Sequence, residues 1–488
     1  MAPRKEKIVV FPFMAQGHII PFLSLALKLE QEKGYEITFV NTPLNIKKLQ
    51  DYIPKFSNIR LLEIPFDSTE HGLPPNSEST ETLPIPLMFQ LIESSPSLKP
   101  AFRNLVSSLV EEDNGRKPLC IISDMFFAWS AEVAHEFGIF HAIFNAGGGY
   151  GMAVLHTTWL NLPHLKSNSQ EFSLAGFPRG YRFKTKNLPP HLQECKGPWE
   201  FMNEVFQDWL KTDAMLFNTI EDIDNTGLKY FREQFPNCSV YPIGPILSSA
   251  GSKARGGEDA EATWNRCMKW LDTKAPNSVL YVAFGSQSSL SEAQTKELAK
   301  ALEASNVDFL WVFRPPSSFL TDSDCINKEW LPEGFKERIE NNKRGLLMQK
   351  WAPQMEILSH KSVGAFLSHC GWNSIIEALS NGVPILSWPM GAEQPFNAHM
   401  LEEEMRVCVG VANGYSDIKH EEIVKKIELV MKGTQGDFMR RKALKVVEMI
   451  KSATSDKEGN KASSIEAMNE FLNAAISRAH EQILSPQN

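Results

Sequence analysis

Two kinds of hydrophobic pattern alternate along the chain, and their alternation predicts the class of fold. Runs of β-branched and aromatic residues, short enough for buried strands, lie at 7–12, 36–41, 119–123, 139–145 and 214–218. Stretches with the helical spacing of apolar residues lie at 19–33 and 128–137. Strands that alternate with helices indicate βαβ units, so we predict an α/β fold with parallel sheets.

The alternation stops at a polar segment and then begins again. Residues 248–262 read SSAGSKARGGEDAEA, a small, polar and glycine-rich composition that is typical of a linker. Strand patterns return at 278–284, 309–313, 345–350, 363–367 and 384–388, with helical patterns at 292–305 and 371–381. The proline-rich segment 73–86 and the polar segment 315–328 are expected to be surface loops.

These patterns predict two domains and the place of the functional site. We expect an N-terminal domain at 1–250, a linker at 251–263, a C-terminal domain at 264–460, and a final helix within 461–488 that packs back toward the N-terminal domain. Ligands of parallel sheets bind at the carboxyl ends of the strands. The cleft between two such sheets is therefore the predicted binding site.

Composition narrows the classes of partner and the compartment. The chain has 488 residues, with 50 Lys and Arg against 58 Asp and Glu, for a net charge of −8. An acidic chain lacks the basic surface that nucleic acids and anionic membranes require, and no apolar run approaches the ~18 residues of a membrane span. Its seven cysteines are widely spaced without a C-x-x-C pair. We therefore expect a cytoplasmic monomer that binds neither nucleic acid nor membrane.

The segment 351–394 carries the densest chemistry in the sequence. An apolar strand pattern is followed by a turn, and a helix is predicted to begin at about Gly371. The free N–H groups and positive dipole end of that helix form a site for phosphate oxygens, to which Asn373 and Ser374 can add donors. Glu377 shares their helix face, where a carboxylate would hold a ribose diol.

Three residues around this helix add to the nucleotide interpretation. Trp351 follows a strand and can stack a base, and His369 lies beside the turn. Ser286 follows the strand at 278–284, after a glycine that allows close approach to a phosphate. An ordinary helix cap with a buried His369, and common turn chemistry at Ser286, fit the same pattern. The spacing alone leaves both interpretations open.

His18 and Asp124 are candidates for general acid–base chemistry. His18 lies between the first strand and a helix, and the helix dipole disfavours imidazolium, so a neutral ring can accept a proton. Asp124 follows another strand of the same sheet and would orient the ring and stabilise its charged form. A turn histidine and a helix-capping aspartate also fit. The residues alone favour that plainer interpretation, because the two are far apart in the sequence.

Other short motifs are absent or weak. No P-loop, H-E-x-x-H or G-x-S-x-G motif occurs, and the run at 146–152 lacks the third glycine of a dinucleotide motif. Aspartates separated by one residue occur at 222–224 and 322–324. Such pairs can hold a divalent metal on a nucleotide sugar, but aspartates in caps and polar loops are commoner. We therefore predict no metal site.

The segment 351–394 resembles, over its full length, the signature box of plant family-1 UDP-sugar glycosyltransferases, with WAPQ at its start, HCGWNS and a final Glu-Gln. QGHIIP at 16–21 and SDMFFAW at 123–129 resemble the family's N-terminal motif and the segment around its acid. The resemblance implies a GT-B fold, in which two Rossmann-like domains with parallel sheets face each other across a cleft. It also implies a metal-independent enzyme with no cofactor other than its co-substrate.

The resemblance assigns a role to each candidate. His18 would be the catalytic base and Asp124 its partner. The donor site would consist of Trp351 and Ala352 at the uracil, Gln354 and Glu377 at the ribose, Ser286, His369, Gly371, Asn373 and Ser374 at the diphosphate, and Trp372, Glu393 and Gln394 at the sugar. An apolar acceptor pocket would be lined by Met14, Phe89, Phe126, Phe144, Phe201 and Ala392.

The implied reaction is inverting transfer of glucose from UDP-glucose to a hydroxyl of a small apolar plant metabolite, such as a phenolic, flavonoid or terpenoid. Trp372 and Gln394 resemble the residues of glucose users, whereas galactose users often carry histidine at the last position. Two alternatives remain at this point. One is the same transferase with UDP-galactose, UDP-xylose or UDP-rhamnose, and the other is a UDP-sugar-binding protein without efficient turnover.

Overall fold

The computed structural model of the protein describes residues 5–54, 57–166, 170–178, 181–194, 198–247, 259–314, 330–349, 351–414, 416–456 and 461–484. Within these ranges the chain forms two large parallel sheets with helices between their strands, which confirms the predicted α/β fold. Most of the predicted linker, at 251–258, and the predicted loop at 315–328 lie outside the described residues.

The first sheet belongs to the N-terminal domain. Its strands are β1 (Lys7–Phe11), β2 (Glu36–Asn41), β3 (Arg60–Glu63), β4 (Cys120–Asp124), β5 (Phe140–Asn145), β8 (Ala214–Phe217) and β9 (Ser239–Pro242), and a separate hairpin pairs β6 (Glu171–Phe172) with β7 (Phe183–Lys184). Within the described residues the order across the sheet is β3-β2-β1-β4-β5-β8-β9, with all neighbours parallel.

The helices of this domain connect the strands. They are α1 (Gln16–Lys33), α2 (Pro43–Gln50), α3 (Ile85–Glu93), α4 (Lys99–Glu112), α5 (Ser130–Glu136), α6 (Gly149–Asn161), α7 (Pro190–Gln193), α8 (Trp199–Trp209) and α9 (Glu221–Gln234). The central strand β1 shows why the sheet needs them. Ile8, Val9 and Val10 are at most 1% exposed, and since successive side chains point to opposite faces, both faces of the sheet are covered.

The second sheet belongs to the C-terminal domain. Its strands are β10 (Val279–Ala283), β11 (Asp308–Phe313), β12 (Gly345–Gln349), β13 (Val363–Ser368), β14 (Ile385–Ser387) and β15 (Cys408–Gly410), in the order β12-β11-β10-β13-β14-β15 among the described residues. The helices around it are α10 (Ala260–Leu271), α11 (Glu292–Ala304), α12 (Phe335–Asn341), α13 (Gln354–Ser359), α14 (Trp372–Ser380), α15 (Gln394–Glu403), α16 (His420–Met431) and α17 (Thr434–Thr454).

The last helix, α18 (Ser463–Leu484), returns to the first sheet. Phe471 is fully buried there, with its ring 6.2 Å from that of Phe140 and 6.1 Å from that of Tyr241. Ser464 Oγ donates to the carbonyl of Gly244, the last part of the N-terminal domain before the linker. The chain therefore passes between the domains twice, and the point at which it leaves the first sheet lies beside the point at which it returns.

The structure differs from the sequence-based expectation at several elements, of which the sheet edges and one buried segment are the clearest. The short strands β3, β9 and β15 were not predicted, and all three lie at edges of the sheets, where a strand needs less apolar pattern. Segment 73–86 is mostly irregular, but only part of it is exposed, because Leu73 and the stretch 77–80 are buried, and its last two residues begin α3. Asn45 Nδ2 donates to the Glu78 carbonyl at 2.6 Å, which satisfies one polar group of this buried segment.

Candidate active site

His18 and Asp124 meet at the carboxyl edge of the first sheet. His18 lies in the first turn of α1, and Asp124 is the last residue of β4, which pairs with β1. The His18 Nδ1 and Asp124 Oδ2 atoms are 2.7 Å apart and hydrogen-bonded. The other Asp124 oxygen accepts from the backbone N–H of Phe126 at 3.1 Å, which fixes the carboxylate. Within the described residues no group bonds His18 Nε2, so this nitrogen is left for a substrate.

The surroundings of His18 make the ring a stronger base than a free histidine. Burial acts to lower its pKa, but the charge and hydrogen bond of Asp124, with the charge of Glu393, raise the pKa above 6.5. The sequence predicted that the helix start disfavours the charged ring, whereas the two carboxylates favour it. The His18 side chain remains 28% exposed, with the rings of Phe13 and Phe126 each 5.7 Å from it.

The start of α14 forms the other side of the cleft. Its N-cap residue is Gly371, which has no side chain to satisfy the first amide groups of the helix. Cys370 has a φ of 62°, and its backbone N–H donates to Ser368 Oγ at 3.1 Å, so the chain turns sharply from β13 into the helix. The free N–H groups and the positive end of the helix dipole are available there to an anion, as the sequence predicted.

His369 packs tightly beside this turn. A Cβ atom on Gly285 or Gly371 would stand 2.6 or 2.5 Å from His369 Nε2, and Gly285 also has a φ of 76°, so these positions require glycine. Burial and the charge of Arg314 lower the pKa of His369 to about 4. His369 is therefore neutral at physiological pH and can act at a diphosphate only as a hydrogen-bonding group.

The residues predicted at the ribose are in mutual contact. Gln354 Nε2 donates to Ser374 Oγ at 3.0 Å and to Glu377 Oε2 at 2.7 Å, while Gln354 Oε1 accepts from the Tyr281 hydroxyl at 3.2 Å. Ser374 and Glu377 lie three residues apart on α14, on the shared face that the sequence predicted. Trp351 follows β12 and is partly exposed, and Ala352 beside it is buried.

Two of the three residues predicted at the sugar, Glu393 and Gln394, lie at the start of α15. Gln394 Oε1 accepts from the backbone N–H groups of Met390 and Gly391 at 2.9 and 3.2 Å, so its Nε2 group is the part left for a ligand. The preceding Ala392 is exposed and has a φ of 51°. Burial raises the pKa of Glu393, and the charge of His18 opposes that rise. The two side chains therefore interact electrostatically across the cleft.

Trp372 and Asn373 connect the two domains. Trp372 Nε1 donates to the carbonyl of Asn218 at 2.7 Å, and its side chain is almost fully buried. The indole N–H is therefore engaged between the domains and is not open to a sugar hydroxyl. Asn373 Nδ2 donates to the carbonyl of Gly17 at 2.9 Å, next to the base.

Comparison with known proteins decides the family. A sequence profile described as "UDP-glucoronosyl and UDP-glucosyl transferase" matches residues 220–445. The chain is 43% identical to UDP-glycosyltransferase 92A1 of Arabidopsis thaliana over 485 residues, which cover 97% of this chain and 98% of that protein. The chain belongs to the UDP-glycosyltransferase family. It is also 39% identical to crocetin glucosyltransferase 3 of Crocus sativus, over 88% of this chain and 92% of that one.

Solved structures give the same result for the fold. Medicago truncatula UGT71G1 complexed with UDP-glucose superimposes with a TM-score of 0.80 at 25% identity, over 96% of this chain and 98% of that one. This confirms the GT-B fold of the present UDP-glycosyltransferase, with its two facing Rossmann-like domains. The enzyme is thus a glycosyltransferase whose co-substrate is a UDP-sugar.

The predicted acceptor residues of this UDP-glycosyltransferase fall into different environments. Phe126 lies beside His18, whereas Phe89 on α3 and Phe201 on α8 are partly buried and Met14 is 1% exposed. Phe144 is fully buried in the core, with its ring 4.9 Å from that of Phe22 on α1. The structure therefore assigns Phe144 to the core and not to a pocket.

The glycine run at 146–152 has a function in packing that the sequence analysis missed. A Cβ atom on Gly148 would stand 2.8 Å from the Trp372 ring, and one on Gly151 would stand 2.1 Å from Asn397 Oδ1. Both partners come from the C-terminal domain, so the absence of side chains lets the domains approach closely. The signal was present as the run of glycines itself, but its purpose depends on residues more than 200 positions away.

Arg314 is a second residue that sequence reasoning missed. It follows β11, and its Nη1 donates to the carbonyl of Ser286 at 2.9 Å. Since β11 pairs with β10, the residue after one strand must lie beside the loop after the other. Arg314 is partly buried and adds positive charge near His369 and the start of α14.

The structure gives a packing role to one aspartate of the two pairs that were considered as metal sites. Asp224 is buried and accepts from the backbone N–H groups of Gly149 and Tyr150 at 2.5 and 2.7 Å, so it holds the start of α6. Asp322 and Asp324 lie outside the described residues. Elsewhere in the described ranges, no three His, Cys, Asp or Glu side chains are grouped as metal ligands. None of the helices described there is both long and apolar enough to span a membrane.

Proposed function

We propose that this enzyme transfers glucose from UDP-glucose to a hydroxyl of a small apolar plant metabolite, with inversion, to give a β-glucoside. In this proposal the N-terminal domain supplies the base and most of the acceptor pocket, and the C-terminal domain binds the donor. The observation that carries it is the His18–Asp124 pair, which lies across one cleft from the uncapped start of α14 and is joined to it by the bond between Asn373 and Gly17.

The geometry supports a single displacement. His18 Nε2 accepts the acceptor's hydroxyl proton while Asp124 stabilises the imidazolium that forms. The acceptor oxygen attacks the anomeric carbon on the face opposite UDP, and the bond between that carbon and the diphosphate oxygen breaks. Attack from the opposite face turns an α-linked donor into a β-glucoside. The negative charge that develops on the leaving diphosphate is met by the free amides and dipole of α14.

Glucose and an apolar acceptor are supported by separate observations. Gln394 keeps an amide N–H group for a sugar hydroxyl, and the Crocus sativus relative is named a glucosyltransferase. Phe13 and Phe126 flank His18 with apolar rings, which suits a polycyclic acceptor better than a polar one.

Product analysis tests this proposal. The enzyme is incubated with UDP-glucose, a chelator and pooled phenolic, flavonoid and terpenoid acceptors, and in parallel with UDP-galactose, UDP-xylose and UDP-rhamnose. We expect one hexose to be added to an acceptor most rapidly from UDP-glucose, with a β-anomeric proton in the NMR spectrum of the product. An α-anomer would contradict inversion, and a faster reaction with another donor would contradict glucose. Binding of UDP without any product would favour a binding protein.

We also propose a cytoplasmic monomer. The five cysteines in the described residues are Cys120, Cys238, Cys267, Cys370 and Cys408, and all are buried and unpaired. Unpaired buried thiols are stable in a reducing compartment. Light scattering on the purified enzyme and fractionation of the source tissue test the two parts of this proposal, and a dimeric mass or a membrane-bound pool would contradict them.

A further inference from the structure

The carbonyl of Gly17, the residue immediately before the base, lacks its usual helical partner. In an α-helix the carbonyl of one residue accepts a hydrogen bond from the N–H four residues later. Four residues after Gly17 stands Pro21, a proline inside α1, and proline has no N–H. Pro21, a residue type that ordinarily weakens a helix, thus leaves the Gly17 carbonyl without a helical partner in the same turn as His18.

That carbonyl is occupied from the other domain. Asn373 Nδ2, in the first turn of α14, donates to Gly17 O at 2.9 Å. The preceding residue, Trp372, likewise donates to the main-chain carbonyl of Asn218. Two successive residues of the donor helix therefore dock on two backbone carbonyls of the N-terminal domain, one of them adjacent to the base.

We propose that Pro21 keeps the Gly17 carbonyl free so that Asn373 can hold the turn of the base against the donor helix. Asn373 is then a positioning residue for His18, apart from any contact it makes with the diphosphate. A carboxamide has two N–H groups, so one can bond Gly17 while the other remains for a diphosphate oxygen. The inference rests on the proposed function, because it requires a donor at α14 and proton transfer at His18.

The link matters because the reacting groups belong to different domains. The base belongs to α1, and the leaving group is held by α14. The distance between the acceptor oxygen and the anomeric carbon therefore depends on the relative position of the two domains. A displacement of about 1 Å can cost a large part of the rate. A hydrogen bond from the first turn of one helix to the first turn of the other fixes that distance only when the cleft is closed.

Pro21→Ala tests the link without touching the donor site. Alanine restores an N–H that competes for the Gly17 carbonyl within α1. We expect kcat to fall roughly threefold to tenfold, the range for a lost neutral hydrogen bond, while the KM for UDP-glucose and the Kd for UDP stay unchanged. The matched control is Ser24→Ala, which removes a bond of 3.0 Å from Ser24 Oγ to the carbonyl of Ile20 on the same helix and should leave kcat unchanged.

A double-mutant cycle with Asn373→Ala completes the test. Asn373→Ala alone should lower kcat, and adding Pro21→Ala should lower it no further, because the same bond is already lost. Unchanged kcat in Pro21→Ala, or losses that multiply in the double variant, would overturn the proposal. If Pro21→Ala does not fold, Asn373→Ser replaces it, since serine keeps a donor for the diphosphate but is too short for Gly17, and unchanged kcat would again refute the link.

The wild-type enzyme separates this inference from the function on which it rests. A wild-type chain that binds UDP but transfers no sugar would overturn the proposed function and, with it, the catalytic purpose of the link. A wild-type chain that transfers glucose, with Pro21→Ala equally active, would overturn the link alone.

Discussion

His18 and His369 each lie at the carboxyl end of a parallel sheet, one in each domain, but they have opposite electrostatic properties. Each follows a central parallel strand, β1 or β13, at the start of a helix. Burial acts on both to lower the pKa. The Asp124 carboxylate reverses that effect at His18, whereas the Arg314 guanidinium adds to it at His369, whose pKa falls to about 4. Both histidines lie where a sheet gives way to a helix, and the charged neighbour decides which of them is a base.

Removing the base should produce the largest effect. We expect His18→Ala to lower kcat by about 10³-fold, within the range for general base catalysis, because it removes the group proposed to take the acceptor's proton. The Kd for UDP should not change, since His369 and α14 remain intact. Calorimetry with UDP and turnover assays measure the two separately. His480→Ala, which alters an exposed histidine, is the control, and parallel loss of UDP binding in His18→Ala would mean a structural role.

Replacing the partner of the base should make His18 resemble His369. We expect Asp124→Asn to lower kcat by roughly 10²-fold. In the wild-type enzyme the rate should rise with pH as His18 loses its proton, with a midpoint above that of an ordinary histidine, because its pKa is raised. Without the Asp124 carboxylate the lowering effect of burial is opposed only by the charge of Glu393, so the midpoint should move to lower pH. The pH profile of kcat/KM measures this, and an unmoved midpoint would show that Asp124 does not set the pKa.

Removing the positive charge of Arg314 tests the opposite electrostatic effect, the one that lowers the pKa of His369. Arg314→Gln should weaken UDP binding roughly tenfold, the value of a charged hydrogen bond, and leave uridine binding unchanged because uridine has no phosphate. The pKa of His369 should rise, since one of its two lowering causes is lost. Calorimetry with UDP and uridine, and NMR titration of the ring, measure these effects. Arg314→Lys, which keeps the charge, should retain most of the affinity, and equal losses for UDP and uridine would disprove the charge role.

The contact between the domains should show the smallest effect. Trp372→Phe keeps an aromatic ring against Gly148 but loses the indole N–H that bonds Asn218. We expect kcat to fall roughly threefold to tenfold with little change in thermal midpoint. Steady-state kinetics and a melting curve test this, with Trp270→Phe on α10 as the matched control. A change confined to donor-sugar preference would instead support a sugar contact by the Trp372 side chain.

How much of the fold and of the active site could be predicted from the sequence depends on how close the interacting residues are along the chain. The donor helix, its glycine turn and the shared face of Ser374 and Glu377 are contiguous, so the spacing alone specifies them. His18 and Asp124 are 106 residues apart and depend on the pairing of β1 with β4, so the residues alone favoured a turn histidine and a capping aspartate over a pair. Asp124 does cap the turn after β4, and it also bonds His18. Arg314 depends in the same way on the order of strands in its sheet.

The rest could not be predicted, because it depends on packing. An aromatic residue on a central strand, such as Phe144, fits a pocket or a core equally well by pattern, and only the position of α1 decides. Segment 73–86 has the composition of an exposed loop, yet Asn45 and the opposite domain cover it. The bond from Asn373 to Gly17 depends on how the two domains pack against each other.

The return of α18 to the first sheet has a consequence for engineering. Domain exchange between related enzymes is commonly attempted by joining chains at a linker, on the assumption that each half carries its own core. Here Met468, Phe471 and Leu472, encoded at the end of the chain, belong to the core of the N-terminal domain. A hybrid joined only at 251–263 would pair one parent's sheet with the other parent's helix. Hybrids of this scaffold need a second junction before Ser463, so that each core remains from a single parent.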